Sequence, residues 1–211
     1  LAALPEAVDA ARERHGRVYA ARFQRYNEAI RGKRPMEEAT LIGEELENVR
    51  AAWAWAVAQR DIEAIAALNA GLADCLHLMT AFQEGAALFD DALTHLGWAE
   101  RDACTGAPAC ELRTQRATFL IYLGQLDRAQ ADLLHCLAVF EELDETEEIA
   151  HCRFYLGEIA RFLGRTEIAR ARYSESLQGY RQTGNQSAVG FCLNGLGTVS
   201  AAMGAAPEAR L

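Results

Sequence analysis

The chain has 211 residues, of which 51% are hydrophobic and only four are proline. This composition is sufficient for a continuous core, and its many alanines and leucines favour helices. The net charge of −9 argues against a general nucleic-acid surface, which needs clustered cations to bind phosphates. No apolar run reaches the roughly 18 residues of a transmembrane helix. We therefore expect neither direct nucleic-acid binding nor membrane insertion.

Helical periodicity runs through the chain in order. An amphipathic helix is predicted from about Pro5 to Ile30, and Gly32 and Pro35 break it. A second helix is predicted from about Met36 to Gln59. Later helices are predicted at about 62–79, 84–96, 109–123, 126–142, 146–163 and 166–182, with another starting near Gln186. No segment has the alternation of a strand, so the predicted fold is all-α.

The stretch from His151 to Tyr180 has the clearest pattern, two helices joined by a tight turn at Gly164-Arg165. Its apolar and small residues stand at the intervals of a tetratricopeptide (TPR) repeat. Small side chains at Gly157 and Ala169 are expected to let the helix backbones approach closely, while larger ones fill the seam. The matching positions are Leu156, Gly157, Ala169, Tyr173, Ser176 and Leu177.

The same spacing recurs elsewhere. Forty residues earlier it matches Ala117, Leu120, Gly124, Ala129, Leu133, Cys136 and Leu137, although Arg116 stands where leucine is expected. Forty residues later it matches Leu196, Gly197, Gly204 and Ala209, and a weaker copy lies around Leu72 to Leu93. The predicted fold is a right-handed superhelical, TPR-like α-solenoid of antiparallel helix pairs. Its repeats are expected at about 61–97, 109–142, 146–182 and, truncated, 186–211.

The segment before these repeats carries a second resemblance. Residues 45–56 (ELENVRAAWAWA), followed by 59–61 (QRD), resemble the "E-x-x-NLRAALxWAL…GD" segment of bacterial STAND-type signalling ATPases, including many LuxR-type regulators. Residues 15–29 (HGRVYAARFQRYNEA) are similar to the helix beginning "HARYFLALAE" in the same proteins, and residues 82–93 to their "GxxxEGRRWLERAL" helix. The resemblance covers about residues 10–211. Val49 and Trp53 depart from it, each in a way that leaves the architecture intact.

This resemblance implies that the repeats are the sensor or regulatory arm of a larger signalling protein or transcriptional regulator. Residues 1–60 would then be a helical pair joining the array to a missing upstream module. The expected partners are that ATPase module in the full-length chain and a protein segment or small inducer. This chain has no G-x-x-x-x-G-K-[ST] loop, because Gly32-Lys33 lacks the earlier glycine and the following Ser or Thr. The alternative is a free-standing TPR scaffold that assembles protein partners.

No residue pattern indicates an enzyme. Adjacent carboxylates on a helix point about 100° apart and do not converge on one atom. The five histidines are scattered, and neither a nucleophile motif nor metal-ligand spacing is present, so we expect no cofactor and no metal.

The six cysteines are expected to be reduced, small hydrophobic residues, which favours a cytoplasmic location. Whether Cys104 and Cys110 can pair stays open. Trp53 is expected in the core. Trp55 is expected to pack against a neighbouring helix or to face the missing module.

The first helices of the repeats predict a recognition groove, because TPR arrays present these A-helices on a concave face. The side chains predicted there mix aromatic, apolar and a few polar groups, as binding grooves do. Arg161 is the expected anchor for a carboxylate or phosphate, with Glu158 as its resting partner. The alternative is a solvated or self-packed inner wall. The groove residues we predict are Asp74, His77, Thr118, Tyr122, Phe154, Glu158, Arg161 and Asn194.

Overall fold

The computed structural model of the chain describes residues 3–30, 46–100 and 106–205. Within these ranges it has nine α-helices and no strand, so the predicted all-α, TPR-like fold class is confirmed. Gly32, Pro35, the start of the second predicted helix, Cys104 and Ala209 lie outside the described residues. The helices are α1 Ala3–Ile30, α2 Leu46–Gln59, α3 Ile62–Leu78, α4 Phe82–Leu96, α5 Ala107–Tyr122, α6 Leu126–Glu142, α7 Thr146–Phe162, α8 Thr166–Thr183 and α9 Gln186–Ala205.

The chain divides into two compact units, Leu1–Cys104 and Thr105–Leu211. The first unit holds α1 to α4 and the second holds α5 to α9. The predicted boundary at residue 60, between a helical pair that joins the array to another module and the repeats that follow, stays a prediction.

In the first unit, α1 packs on α2 and α3, and α4 packs on α2 and α3. Trp53 is buried, with its ring centroid 5.2 Å from that of Phe89, as expected for a core residue. Trp55 packs on α1, because a Cβ at Gly16 would lie only 2.1 Å from Trp55 Cε3. Helix α3 begins at a side-chain cap, in which the Ala64 backbone N–H donates to Asp61 at 3.0 Å.

In the second unit, each helix packs against the next along the chain from α5 to α9. The turns within the two complete pairs are the same. Gly124 and Gly164 follow α5 and α7 with φ of 74° and 69°, a left-handed conformation that glycine adopts without steric cost. The predicted 40-residue offset therefore appears in the backbone itself.

A hydrogen bond confirms the repeat register in the second unit. Ser176 Oγ on α8 donates to the Ala150 carbonyl on α7 at 2.7 Å. Forty residues earlier, Cys136 Sγ on α6 donates to the Cys110 carbonyl on α5 at 3.5 Å. Because both side chains are buried, each bond satisfies a polar group in the seam of its helix pair.

The seam between α7 and α8 differs in one respect from the prediction. Ala169 is buried, but it is Tyr173 that lies against Gly157, since a Cβ there would come within 2.8 Å of Tyr173 Cε1. Gly195 on α9 flanks the same ring, because its Cβ would come within 3.0 Å of Tyr173 Cζ. The two glycines therefore make room for an aromatic ring rather than for the direct backbone contact that we expected.

Arg116, the departure from the repeat pattern, has a buried ionic partner. Its Nη2 lies 2.6 Å from Asp132 Oδ2, and Arg113 Nη1 lies 3.2 Å from Asp132 Oδ1. The three side chains are at most 5% exposed. An aspartate on α6 thus compensates for the arginine on α5, as buried charges require.

Candidate functional site

Three polar side chains form a chain of hydrogen bonds between α7 and α8. The hydroxyl of Tyr173 donates to Glu158 Oε1. Arg161 donates to the same carboxylate, with 2.6 Å from Nη2 to Oε2 and 3.4 Å from Nε to Oε1. Tyr173 is fully buried, and Glu158 and Arg161 are 14% and 34% exposed. The interior of the helix pair therefore holds a partly exposed guanidinium in place.

Two aromatic rings accompany the arginine. Arg161 Cζ lies 4.4 Å from the centroid of the Phe162 ring, within cation–π range. Partial burial raises the pKa of Tyr122, from α5, which also lies close enough for the charge of Glu158 to raise its pKa and for the charge of Arg161 to lower it. Tyr122 and Phe162 are 50% and 48% exposed, so both rings are accessible to a ligand. Tyr122 belongs to the predicted repeat at 109–142, and Arg161 and Phe162 belong to the next one, at 146–182.

The electrostatics favour the charged form of Arg161 and the protonated form of Tyr173. The hydrogen bond to Glu158 raises the pKa of Arg161 above its usual value, so the guanidinium stays charged. Burial, and then the hydrogen bond to Glu158, raise the pKa of Tyr173, so its hydroxyl keeps its proton and acts as the donor.

Other predicted groove residues in this unit have different surroundings. Phe154 is half-buried, and its ring lies 5.6 Å from that of Tyr173, beneath the polar cluster. Thr118 is fully buried and donates to the Gln115 carbonyl at 2.7 Å, so it is closed to a ligand in this structure. Asn194 is exposed on α9, and none of its described contacts reaches the cluster. Four predicted residues therefore come together here: Tyr122, Phe154, Glu158 and Arg161.

The remaining two predicted residues, Asp74 and His77, lie in the first unit on α3. Asp74 is exposed, and His77 is half-buried with its ring 5.8 Å from that of Phe82. Their part in a groove shared with α5 and α7 stays a prediction.

Sequence reasoning missed the polar role of Tyr173. We assigned this residue to the apolar seam, where it does lie, but its hydroxyl reaches Glu158 on the preceding helix. The signal was a tyrosine at a position where phenylalanine would fill the same space, because a buried hydroxyl usually has a partner.

The cluster presents a charged guanidinium beside exposed aromatic rings. A fixed guanidinium beside aromatic rings recognises carboxylate or phosphate groups. Among the described residues, no three His, Cys, Asp or Glu side chains are grouped as a metal site requires. Within the same ranges, no helix is long and apolar enough to cross a membrane. A cavity of about 430 Å³ lies on α8 beside Leu177 and Arg181, and none of its lining residues belongs to the cluster.

Comparison with known proteins agrees with the repeat geometry. Residues 109–182 match the tetratricopeptide repeat family. This part of the chain is a TPR-repeat region. The crystal structure of BtubC (BKLC) from P. vanneervenii overlays with a TM-score of 0.45 and 15% identity, over 92% of each chain. No curated protein was found that matches the sequence. The TPR region contains α5 to α8, and hence every residue of the cluster.

Proposed function

We propose that the TPR region binds a protein segment or small ligand on the face of α5 and α7. We call this face the groove and define it by Tyr122, Phe154, Glu158, Arg161 and Phe162. The observation that carries the proposal is the fixed position of Arg161, which Glu158 holds on one side and Phe162 on the other. TPR repeats are protein-interaction scaffolds, which agrees with a non-catalytic role.

Preorganisation is the physical reason to place recognition here. An arginine that must be ordered on binding loses side-chain conformational freedom, about 0.5–1.5 kcal/mol for such a residue. Arg161 is already ordered by a charged partner, and Glu158 is itself ordered by Tyr173. Arg161 donates to Glu158 through Nε and Nη2 and also hydrogen-bonds with the Tyr173 side chain. The exposed third of its side chain is the part that we propose to meet an acidic group of the ligand.

The experiment that tests this proposal is selection from a peptide library on the immobilised chain, followed by mapping of the best binder by ¹⁵N-¹H NMR. We expect the largest shift changes at the amides around Tyr122 and at Arg161 and Phe162. We also expect the selected peptides to share an acidic residue beside apolar ones. Changes confined to the outer side of α6 and α8 would place recognition elsewhere and overturn the proposal.

We further propose that this region is the sensor arm of a STAND-type signalling protein or LuxR-type regulator. This finer assignment rests on the resemblance of residues 15–29, 45–61 and 82–93 to those proteins. It predicts a nucleotide-binding module, with a phosphate-binding loop, upstream in the intact gene, and a cytoplasmic location. Deleting the TPR region from that protein should raise its ATPase rate. An intact gene without such a loop would favour the alternative, a free-standing scaffold.

A further inference from the structure

A second polar site lies in the TPR region, on the opposite ends of the same two helices. A cleft of about 260 Å³ opens between the first turns of α7 and the last turns of α8. We call it the Arg153 cleft. Its walls carry polar side chains of several kinds and one apolar residue: Thr146, Ile149, Arg153, Glu175, Gln178 and Gln182.

The cleft has a tight floor. Gly179 lies so close to α7 that a Cβ there would come within 2.8 Å of Ala150 Cβ and 3.5 Å of the Thr146 carbonyl oxygen. A side chain at position 179 would collide with Ala150, so glycine allows the two helices to approach closely at the floor. Because the floor is apolar and the walls are polar, a ligand would be oriented by its polar groups, as in most small-molecule sites.

Arg153 presents an unsatisfied donor at this cleft. Its Nη2 donates to Glu141 on α6 at 2.9 Å, which fixes the guanidinium. Its Nε is shielded from solvent and makes no hydrogen bond to any described residue. The nearest carboxylate oxygen, Glu175 Oε2, is 3.8 Å away, beyond hydrogen-bond distance. Because solvent does not reach Nε, a ligand oxygen does not reach it either. Arg153 Nη1, by contrast, makes no hydrogen bond to a described residue and belongs to a side chain that is 31% exposed.

The other wall supplies the complementary charge. Glu175 accepts from Arg172 at 3.1 Å through Oε2, and its described ion pairs all use that oxygen. Oε1 is therefore available to a cation. Gln178 and Gln182 stand one turn apart on α8 and add amide donors and acceptors. The walls thus offer one cationic and one anionic contact close together.

We propose that the Arg153 cleft binds a small zwitterion of the free amino-acid class. Arg153 Nη1 would meet the ligand carboxylate, Glu175 would meet its ammonium group, and the glutamines would contact its side chain. The presence of Glu141 and Glu175 beside Arg153 disfavours a simple anion such as phosphate. The volume also suits a small molecule, since it is below the roughly 300–1,000 Å³ of sites for drug-sized ligands.

The test is calorimetric titration of the full chain with a panel of free L-amino acids. The best binder is then compared with its N-acetyl methylamide, which lacks both charges. We expect saturable binding of at least one free amino acid, and binding of its amide at least tenfold weaker. Absence of saturable binding across the panel would mean that the cleft holds only water, and equal binding of the amide would mean that the two charges are not recognised. Either result would overturn the proposal.

Variants locate the site. Arg153→Gln should weaken binding at least tenfold, whereas Arg170→Gln, at an exposed position of α8 outside the cleft, should change it less than twofold. Arg153 also pairs with Glu141 and so joins α7 to α6. The melting curve of the Arg153→Gln variant is therefore recorded in parallel, to separate lost binding from lost stability. Gln178→Leu, at an exposed position of the cleft, should weaken binding several-fold without unfolding the chain. If neither Arg153→Gln nor Gln178→Leu weakens binding, or if Arg161→Ala in the groove does so instead, the cleft is not the site.

Discussion

The hydroxyl of Tyr173 on α8 donates a hydrogen bond to Glu158 on α7, and this bond links the seam of the helix pair to its surface. The Tyr173 ring is fully buried between Gly157 and Gly195, so its position is set by three helices. Glu158 in turn restrains Arg161 by accepting a hydrogen bond from its guanidinium. The packing of the repeat therefore determines where the groove arginine stands.

Tyr173→Phe tests this relationship. The variant keeps the ring but removes the donor, and a hydrogen bond to a charged group contributes about 1.5–3 kcal/mol. We expect a lower melting temperature and weaker binding of a groove ligand, because Glu158 and Arg161 become less ordered. Tyr180→Phe is the control, since Tyr180 lies on the same helix and makes no hydrogen bond to a described residue through its hydroxyl. Equal effects of the two variants would contradict the role of the Tyr173 hydroxyl.

Gly157→Leu should destabilise the chain. Its side chain would collide with the Tyr173 ring, and overpacking of a core costs roughly 1–3 kcal/mol. Gly197 holds the same repeat position 40 residues later, but nothing lies within 4 Å of its would-be Cβ. Gly197→Leu should therefore leave the chemical-denaturation midpoint almost unchanged. A Gly157→Leu variant as stable as the wild type would show that the seam is packed differently.

Asp132→Ala should be among the most destabilising single substitutions in the second unit. It removes the carboxylate shared by Arg113 and Arg116, and breaking a buried ion pair from one side costs about 3–5 kcal/mol. Asp127→Ala, at an exposed site on the same helix, should cost less than about 1 kcal/mol. Urea denaturation of both variants measures the difference. A loss for Asp132→Ala no larger than that for Asp127→Ala would contradict the buried ionic cluster.

His151 should titrate far below the usual range for histidine. His151 is 22% exposed, and the partial burial of its ring lowers its pKa to about 4, while the Glu148 oxygen 3.9 Å from Nδ1 is too distant for a hydrogen bond. The unfolded chain binds this proton near pH 6.5 and the folded chain only near pH 4. The free energy of unfolding contributed by this group therefore falls as the pH drops through that interval. An NMR titration of the His151 ring that gave a pKa near 6.5 would contradict the prediction.

Most of the fold was predictable from the sequence, because the repeat spacing is a direct record of helix packing. The small and apolar residues around Gly157 and Leu177 recur every 40 residues, and the helices and turns lie where that spacing places them. Arg116 was recognised only as a departure. Its partner Asp132 lies 16 residues away on another helix, and no local pattern joins them.

The groove was only partly predictable. The template identifies which side chains point to the A-helix face, and Glu158 with Arg161 pair as their i, i+3 spacing predicts. It does not say which of those positions are covered, and Thr118 is buried although the template places it on that face. The Tyr173 hydroxyl and the open Arg153 cleft depend on the exact approach of two helices, which spacing alone does not specify.

The central claim is that Arg161 anchors the groove ligand, and a paired arginine comparison tests it most directly. Arg161 and Arg170 each pair with a glutamate three residues earlier, Glu158 and Glu167, but Arg170 lies on the exposed side of α8. The exposed Arg170–Glu167 pair adds only roughly 0.2–0.5 kcal/mol to stability, so Arg170→Ala should melt near the wild-type temperature. Arg161→Ala leaves the largely buried Glu158 carboxylate without its cation and should melt lower, so binding is measured well below both melting temperatures.

The measurement is the Kd of the library-selected peptide for wild type, Arg161→Ala and Arg170→Ala. Loss of a charge-assisted contact of about 1.5–3 kcal/mol should weaken binding by Arg161→Ala roughly tenfold or more, and Arg170→Ala should match the wild type. If Arg161→Ala binds the peptide as tightly as the wild type does, or if Arg170→Ala weakens binding just as much, the groove is not the recognition site.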